Sequence, residues 1–454
     1  MTQSSAPVVL VTPHKPALIE GAAQKLAVLI RVQAPDAPAA VTATRKPYHL
    51  ALVIDRSGSM AGEPLAEAVR CAAHIVDRLQ PTDVAALVTF DDRVRVPVAA
   101  APVGDRRALH AALGAIRAGG TTNLHGGWKA GADALAPGAA QAALARVVLL
   151  SDGNANAGEV QATEDIAQAS AAAAAQGVTT STYGLGRDFN EGLMVEMAKR
   201  GAGNHYYGET AADLFEPFAE EFDLIASLYA RRLRLTLSAP AGVVIHVRND
   251  YPIEERDGFR SIVLPDLPYA AEAWALVELE VPAGLALESG SKVLQAGVSG
   301  VTPDGVPIAF HDVVLTMKAV TPPAWNVLLA DPAVTARLAE VEAAALLQAA
   351  RAAAAQGQWQ KIQQLLGDAQ ARFADHPWLL AVLTELADLA EQQDTARFAK
   401  EALYGARRMS VRLSARDEEA TLGAEASVPS YVRRKSAQGR AQDRQPKDPG
   451  KPSE

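Results

Sequence analysis

Between residues 48 and 227, short apolar runs alternate with longer amphipathic or alanine-rich stretches. The runs at 48–54, 83–90, 146–151, 178–184 and 203–207 predict strands. The stretches near 62–79, 105–117, 124–136, 159–176, 189–200 and 210–226 predict helices. Strand and helix in alternation imply an α/β fold with a doubly wound, mostly parallel sheet covered by helices on both faces. Such sheets place their ligand sites outside the carboxyl ends of the strands.

The flanks differ in texture. Residues 7–12 and 24–34 read as strands, as do 231–238, 242–248, 260–264, 272–281, 292–300 and 306–317, with Pro and Gly between them. Regular short strands with turn residues suggest a β-sandwich. The simplest arrangement builds one sandwich from residues 1–47 and 228–321, with 48–227 inserted. From 328 to 411 Ala and Leu recur at helical spacing, Gly357 with Trp359 marks a turn, and Pro377 opens a helix. This stretch resembles tetratricopeptide hairpins, a small helical bundle being the alternative. Residues 412–454 are polar and without apolar periodicity, the composition of a disordered tail.

At 454 residues the chain exceeds one ordinary core, which agrees with several units. A net charge of −9 provides no general attraction to nucleic acid or anionic lipid. Cys71 is the only cysteine, so no internal disulfide and no cysteine-based zinc site can form; on a predicted helix beside alanines it reads as buried filler. The opening MTQSSAPVVL has no basic region before an apolar run, and no stretch of about 18–20 apolar residues occurs. The expectation is a cytoplasmic protein without direct membrane insertion.

The chemistry lies in three loops. The apolar run LALVI enters Asp55-Arg56-Ser57-Gly58-Ser59, Gly119–Leu124 supplies threonines, and VVLLSDGNAN ends a second strand in Asp152-Gly153. A carboxylate with hydroxyls at alternate positions is a cradle for a small hard cation, and oxygen donors on all three loops suit Mg²⁺ better than a soft metal.

Asp55-x-Ser57-x-Ser59, a threonine loop about sixty residues on, and an aspartate ending a buried strand resemble the von Willebrand factor type A (VWA) domain with its metal-ion-dependent adhesion site, of the bacterial type, over about residues 48–227. The resemblance implies a Rossmann-like fold and carries the metal-binding roles to Asp55, Ser57, Ser59 and Asp152. Placing the apolar residue two positions on at Leu124 selects Thr122 rather than Thr121. It further implies Mg²⁺, with Mn²⁺ or Ca²⁺ as alternatives, held by neutral hydroxyls and by the two aspartates directly or through water. The family's usual partner is a protein that completes the metal with an Asp or Glu, so the resemblance implies a non-enzymatic interaction module.

Two other readings compete. Asp55 after a strand also fits the first carboxylate of a metal-dependent phosphohydrolase motif, DxDx[TV], but Ser57 stands where the acid is needed, and no obvious base follows. A purely structural metal with binding through the helical region is the other. His125, Trp128, Asn154 and Asn156 could rim the metal face, or fill core and turns. Asp91 and Asp92 could add outer-sphere charge or mark a hairpin turn, and His205-Tyr206-Tyr207 reads as packing on an edge strand. In the tail, Arg433-Arg434-Lys435 before Ser436 fits a basic-directed kinase site.

Overall fold

The chain opens with β1 (Val8–Pro13), β2 (Ala17–Ile19) and β3 (Gln24–Gln33). The inserted segment follows as β4 (Tyr48–Asp55), α1 (Glu63–Arg78), β5 (Val84–Phe90), β6 (Val94–Pro102), α2 (Arg107–Gly114) and α3 (Leu124–Leu135). It continues through β7 (Leu144–Ser151), α4 (Thr163–Ala175), β8 (Val178–Leu185), α5 (Glu191–Arg200), β9 (His205–Gly208) and α6 (Ala211–Ala226). The computed structural model describes residues 6–37, 47–139, 142, 144–185, 189–208, 211–256, 259–283 and 291–415. These form two compact units, one from the segment 45–221 and one from the segments on either side of it.

In the inserted unit the strands run in the order β6-β5-β4-β7-β8-β9, and all pairs are parallel except β5 with β6. Central β4 and β7 are buried at nearly every position, as a parallel sheet covered on both faces requires. The α/β expectation from sequence therefore holds. One strand was missed: β6, where Val94-Arg95-Val96 continues to Pro102 as an exposed edge strand. Pro97, Pro102 and a run of alanines weaken its alternating pattern, and an edge position tolerates them. Helix α3 packs close on β4 and β5. A Cβ at Gly127 would stand 2.3 Å from Phe90 Cδ1, so glycine is needed where the helix presses on the sheet. That approach fixes the start of α3, and with it the threonine loop.

Beneath the sheet ends, Glu221 of α6 is buried with Arg146 of β7. Its carboxylate pairs with the guanidinium and also accepts from Ser181 Oγ at 2.8 Å, Asn204 Nδ2 at 2.6 Å and Tyr206 Oη at 3.0 Å. Every lone pair of a dry carboxylate is thus used.

The flanking unit continues with β10 (Leu228–Ser238), β11 (Val244–Val247), β12 (Ile253–Arg256), β13 (Phe259–Val263), β14 (Leu267–Pro268), β15 (Ala271–Val281), β16 (Ser291–Val301) and β17 (Val313–Val320). Helices α7 (Pro322–Asn326), α8 (Pro332–Ala354), α9 (Trp359–Arg372), α10 (Pro377–Gln392) and α11 (Thr395–Val411) lead to β18 (Ser414–Ala415). One sheet is β1-β3-β15-β11, with β18 on β15; the other is β12-β13-β10-β16-β17-β2, with β14 on β10. Strand β3 from the N-terminal flank pairs with β15 from Gln24↔Val281 to Gln33↔Glu272, which joins the two flanks in one sheet.

Strands β3 and β15 are buried on both faces. Val28, Ile30 and Val32, with Ala273, Ala275 and Val277, face the core shared with Leu233, Leu235, Leu294 and Leu315. The alternate residues Leu29, Trp274 and Leu276 pack on Val334 and Val341 of α8. The helices therefore lie on the sheet and have their own core farther out, centred on Leu347, Leu366, Leu383 and Phe398.

Residues 412–415, which the sequence assigns to the tail, are ordered. They pair Ala271↔Ala415 and Glu272↔Ser414, and Trp274 Nε1 donates to Arg412 O at 3.1 Å. Arg412 and Arg337 both pair with Glu340, at 3.2 and 2.8 Å, in a nearly dry cluster. The tail beyond 415, Ser436 included, lies outside the described residues. Among the described residues no helix is long and apolar enough to cross a membrane.

Candidate metal centre

Parallel pairing brings the three loops together. Ile54 lies opposite Leu150 and Asp55 opposite Phe90, so the chain leaves β4, β5 and β7 side by side at the carboxyl end of the sheet. Asp55 is completely buried. Its Oδ1 accepts the Ser57 N–H at 2.9 Å, and its Oδ2 accepts the Ser151 hydroxyl at 2.6 Å. Ser151 Oγ in turn accepts the Gly153 N–H at 2.8 Å. The Ser57 and Ser59 hydroxyl oxygens are 3.2 Å apart.

The threonine loop is held by backbone bonds. Gly119 N–H donates to Arg56 O at 2.8 Å, and Gly58 N–H donates to Gly120 O at 3.0 Å. Gly120 has φ of +77°, and a Cβ there would lie 2.3 Å from Asp92 Oδ1. Thr122 is 1 % exposed, whereas Thr121 faces solvent. Thr122 N–H donates to Asn156 Oδ1 at 2.8 Å, and its carbonyl accepts the N–H groups of Asn156 and Ala157, both at 3.1 Å. Asp152 is 7 % exposed; its Oδ1 accepts the Asn154 N–H at 3.1 Å and its carbonyl accepts the Asn190 N–H at 2.7 Å.

Burial pushes the Asp55 carboxyl up to about 6, against the hydrogen bonds from Ser151 and Ser57 that favour its ionised form; the Asp152 charge pushes it further up. Among the described residues neither aspartate has a basic partner. Arg56, whose backbone lies between Asp55 and Ser57, turns its guanidinium to Asp91 and to Arg117 O, at 2.8 Å from the latter. Buried charges are normally paired or bound to a cation. Two buried carboxylates and three hydroxyls on adjoining loops are hard oxygen donors, the type that Mg²⁺ or Ca²⁺ takes. Among the described residues no group of three His, Cys, Asp or Glu side chains gathers to hold a metal, here or elsewhere, so the candidate site rests on two carboxylates and on hydroxyls.

The other residues singled out from sequence divide clearly. Trp128 is core, its Nε1 donating to Thr180 Oγ1 at 3.0 Å. His125 is half-buried near it, and burial, then Lys129, lowers its pKa. Asp91 is buried and structural: it pairs with Arg56, accepts the Arg93 N–H at 2.8 Å in the β5–β6 turn, and its carbonyl accepts the Asn123 N–H at 2.8 Å. Asp92 is exposed. Tyr206 stacks on Tyr183 and Tyr207 packs near Phe189, while Cys71 is buried. Asn154 and Asn156 sit on the Asp152 loop. Sequence reasoning gave no role to Ser151 or to the Arg56–Asp91 pair. The order of β5, β4 and β7 was the signal that exposes both.

Residues 49–220 match the family model of the von Willebrand factor type A domain. The chain carries a VWA domain. Its sequence is 24 % identical over 245 residues to an uncharacterized protein of Synechocystis sp., across 52 % of this chain and 57 % of that protein's length. The fold resembles a von Willebrand factor type A structure from Catenulispora acidiphila, with a TM-score of 0.68 and 16 % identity over 90 % of this chain and 98 % of the other. It also resembles VWA2, an ArnB paralog from Sulfolobus acidocaldarius, with a TM-score of 0.58 and 18 % identity over 89 % and 99 %. At such identities the likeness is one of fold. It extends well past the VWA domain into the flanking unit.

Proposed function

We propose that the VWA domain binds one divalent cation, Mg²⁺ in the cytoplasmic setting expected from sequence, and uses it to hold a protein partner without catalysing a reaction. Asp55, Ser57, Ser59, Thr122 and Asp152 are the residues that would hold the ion. The cation supplies residual positive charge, because three of the five donors are neutral, and a carboxylate from a partner's Asp or Glu suits that charge. The observation that supports this reading is the pair of buried carboxylates, with no basic partner among the described residues, on neighbouring loops that also carry the Ser57, Ser59 and Thr122 hydroxyls. Mn²⁺ and Ca²⁺ fit the same donor chemistry.

The test is affinity capture by the tagged full-length chain in Mg²⁺, in excess EDTA, and as Asp55→Ala in Mg²⁺, with Asp55→Asn as a shape-conserving control. A protein retained only by the wild type in Mg²⁺ supports the proposal. The same proteins in every lane refute it and turn attention to the helices α8–α11.

A further inference from the structure

Thr122 is held in an unusual way. Its hydroxyl makes no hydrogen bond among the described residues, so its backbone position and the packing of its buried side chain set where that oxygen stands. Asn156 grips this backbone twice: its Oδ1 accepts the Thr122 N–H at 2.8 Å, and its own N–H donates to the Thr122 carbonyl at 3.1 Å. The two bonds imitate a pair of facing residues in an antiparallel ladder, with a side chain standing in for one peptide.

Asn156 lies on the loop that Asp152 begins. It therefore ties the acidic loop of β7 to the threonine loop, while the Gly58–Gly120 bond ties that loop to the serines from the other side. Asn156 is itself exposed, so it contributes little to packing.

We propose that Asn156 is a positioning residue of the cation site, holding Thr122 at a fixed distance from Asp152. This rests on the cation reading above. Ligands of Mg²⁺ must meet near-octahedral geometry, and a threonine loop free to shift loses that register. The role needs an acceptor at Oδ1 and no more. Asn156→Asp keeps that acceptor, while Asn156→Ala removes it and leaves the Thr122 N–H without its partner. Removing an outer-shell partner typically weakens metal affinity about 10–100-fold.

The experiment titrates Mn²⁺ into the full-length wild type, Asn156→Ala and Asn156→Asp. It is read by electron paramagnetic resonance of the free ion, with amide hydrogen exchange followed at Thr122 in EDTA. The expected result is Mn²⁺ bound about 10–100-fold more weakly by Asn156→Ala, as tightly or more tightly by Asn156→Asp, and faster Thr122 exchange in the Ala variant alone. Wild-type affinity in Asn156→Ala overturns the positioning role while leaving the cation reading intact. Equal weakening in both variants overturns it too, because the acceptor would then not be what matters. No uptake by the wild type overturns the cation reading, and this role with it.

Discussion

Changing Asp55 to Asn removes a charge and keeps a shape, and the structure gives the consequence a sign. In metal-free protein the Asp55 carboxyl is raised from 3.8 to about 6. That difference, at about 1.4 kcal/mol per pH unit, means that ionised Asp55 costs the fold roughly 3 kcal/mol above pH 7. The asparagine introduced in its place would still accept the Ser57 N–H through its carbonyl oxygen. The Ser151 hydroxyl, now a donor to Oδ2 and already an acceptor from Gly153, must instead receive the new amide, which offsets about 1 kcal/mol. Asp55→Asn should therefore stabilise the metal-free VWA domain by about 1–2 kcal/mol, a rise of about 2–8 °C in Tm for a domain of this size. Cation reverses the order. At a concentration of 100 times Kd it adds about 2.7 kcal/mol to the wild type and little to the variant. Scanning calorimetry of the full chain in EDTA and in Mg²⁺, following the transition that responds to the metal, reads both effects. An Asn variant that melts below the wild type in EDTA refutes the claim that Asp55 is an uncompensated buried charge.

Three further outcomes follow from the same contacts. A carboxyl with a raised folded pKa adds its full stability below its unfolded pKa and loses it as pH rises through the folded one. In EDTA the wild type should lead Asp55→Asn by about 1 kcal/mol below about pH 4, where the carboxyl is protonated in both folded and unfolded chains, and fall behind it as the pH rises through about 6; a gap independent of pH contradicts this. Glu221→Ala removes the carboxylate that faces the buried Arg146 guanidinium beneath the sheet and should cost the VWA domain about 3–5 kcal/mol in urea unfolding, with Glu221→Gln costing less. Glu340→Ala leaves Arg337 and Arg412 buried without their shared carboxylate. It should destabilise the flanking unit by up to a similar energy, Arg337 keeping Glu272 at 3.9 Å, and speed tryptic cleavage after Arg412; unchanged cleavage would show that the 412–415 segment is held by its backbone pairing alone.

Much of this molecule is legible from sequence because its central strands are buried on both faces. LALVI before Asp55 and VVLL before Ser151 have no solvent-facing positions to blur them, so strand, loop and candidate ligand appear in order. What stays hidden depends on which strands become neighbours. Ser151 reads as the last residue of a strand until β7 is placed beside β4 with Ile54 opposite Leu150. Asp91 reads as a turn residue or outer-sphere charge until β5 flanks β4 and Arg56 reaches across. Asn156, read as rim or turn, becomes the clamp on Thr122 only when two loops 34 residues apart in sequence meet. The edge strand β6 and the 412–415 segment fail for another reason. Their residues are exposed, or are charged and buried through partners far away in the chain, and neither case leaves a periodic signal.

The most direct test of the cation site is equilibrium binding of Mn²⁺ to the full-length wild type and to Asp152→Ala. The expected result is one Mn²⁺ per wild-type chain, displaced by excess Mg²⁺, and none held by the variant. No uptake by the wild type, or equal uptake by both proteins, would contradict it.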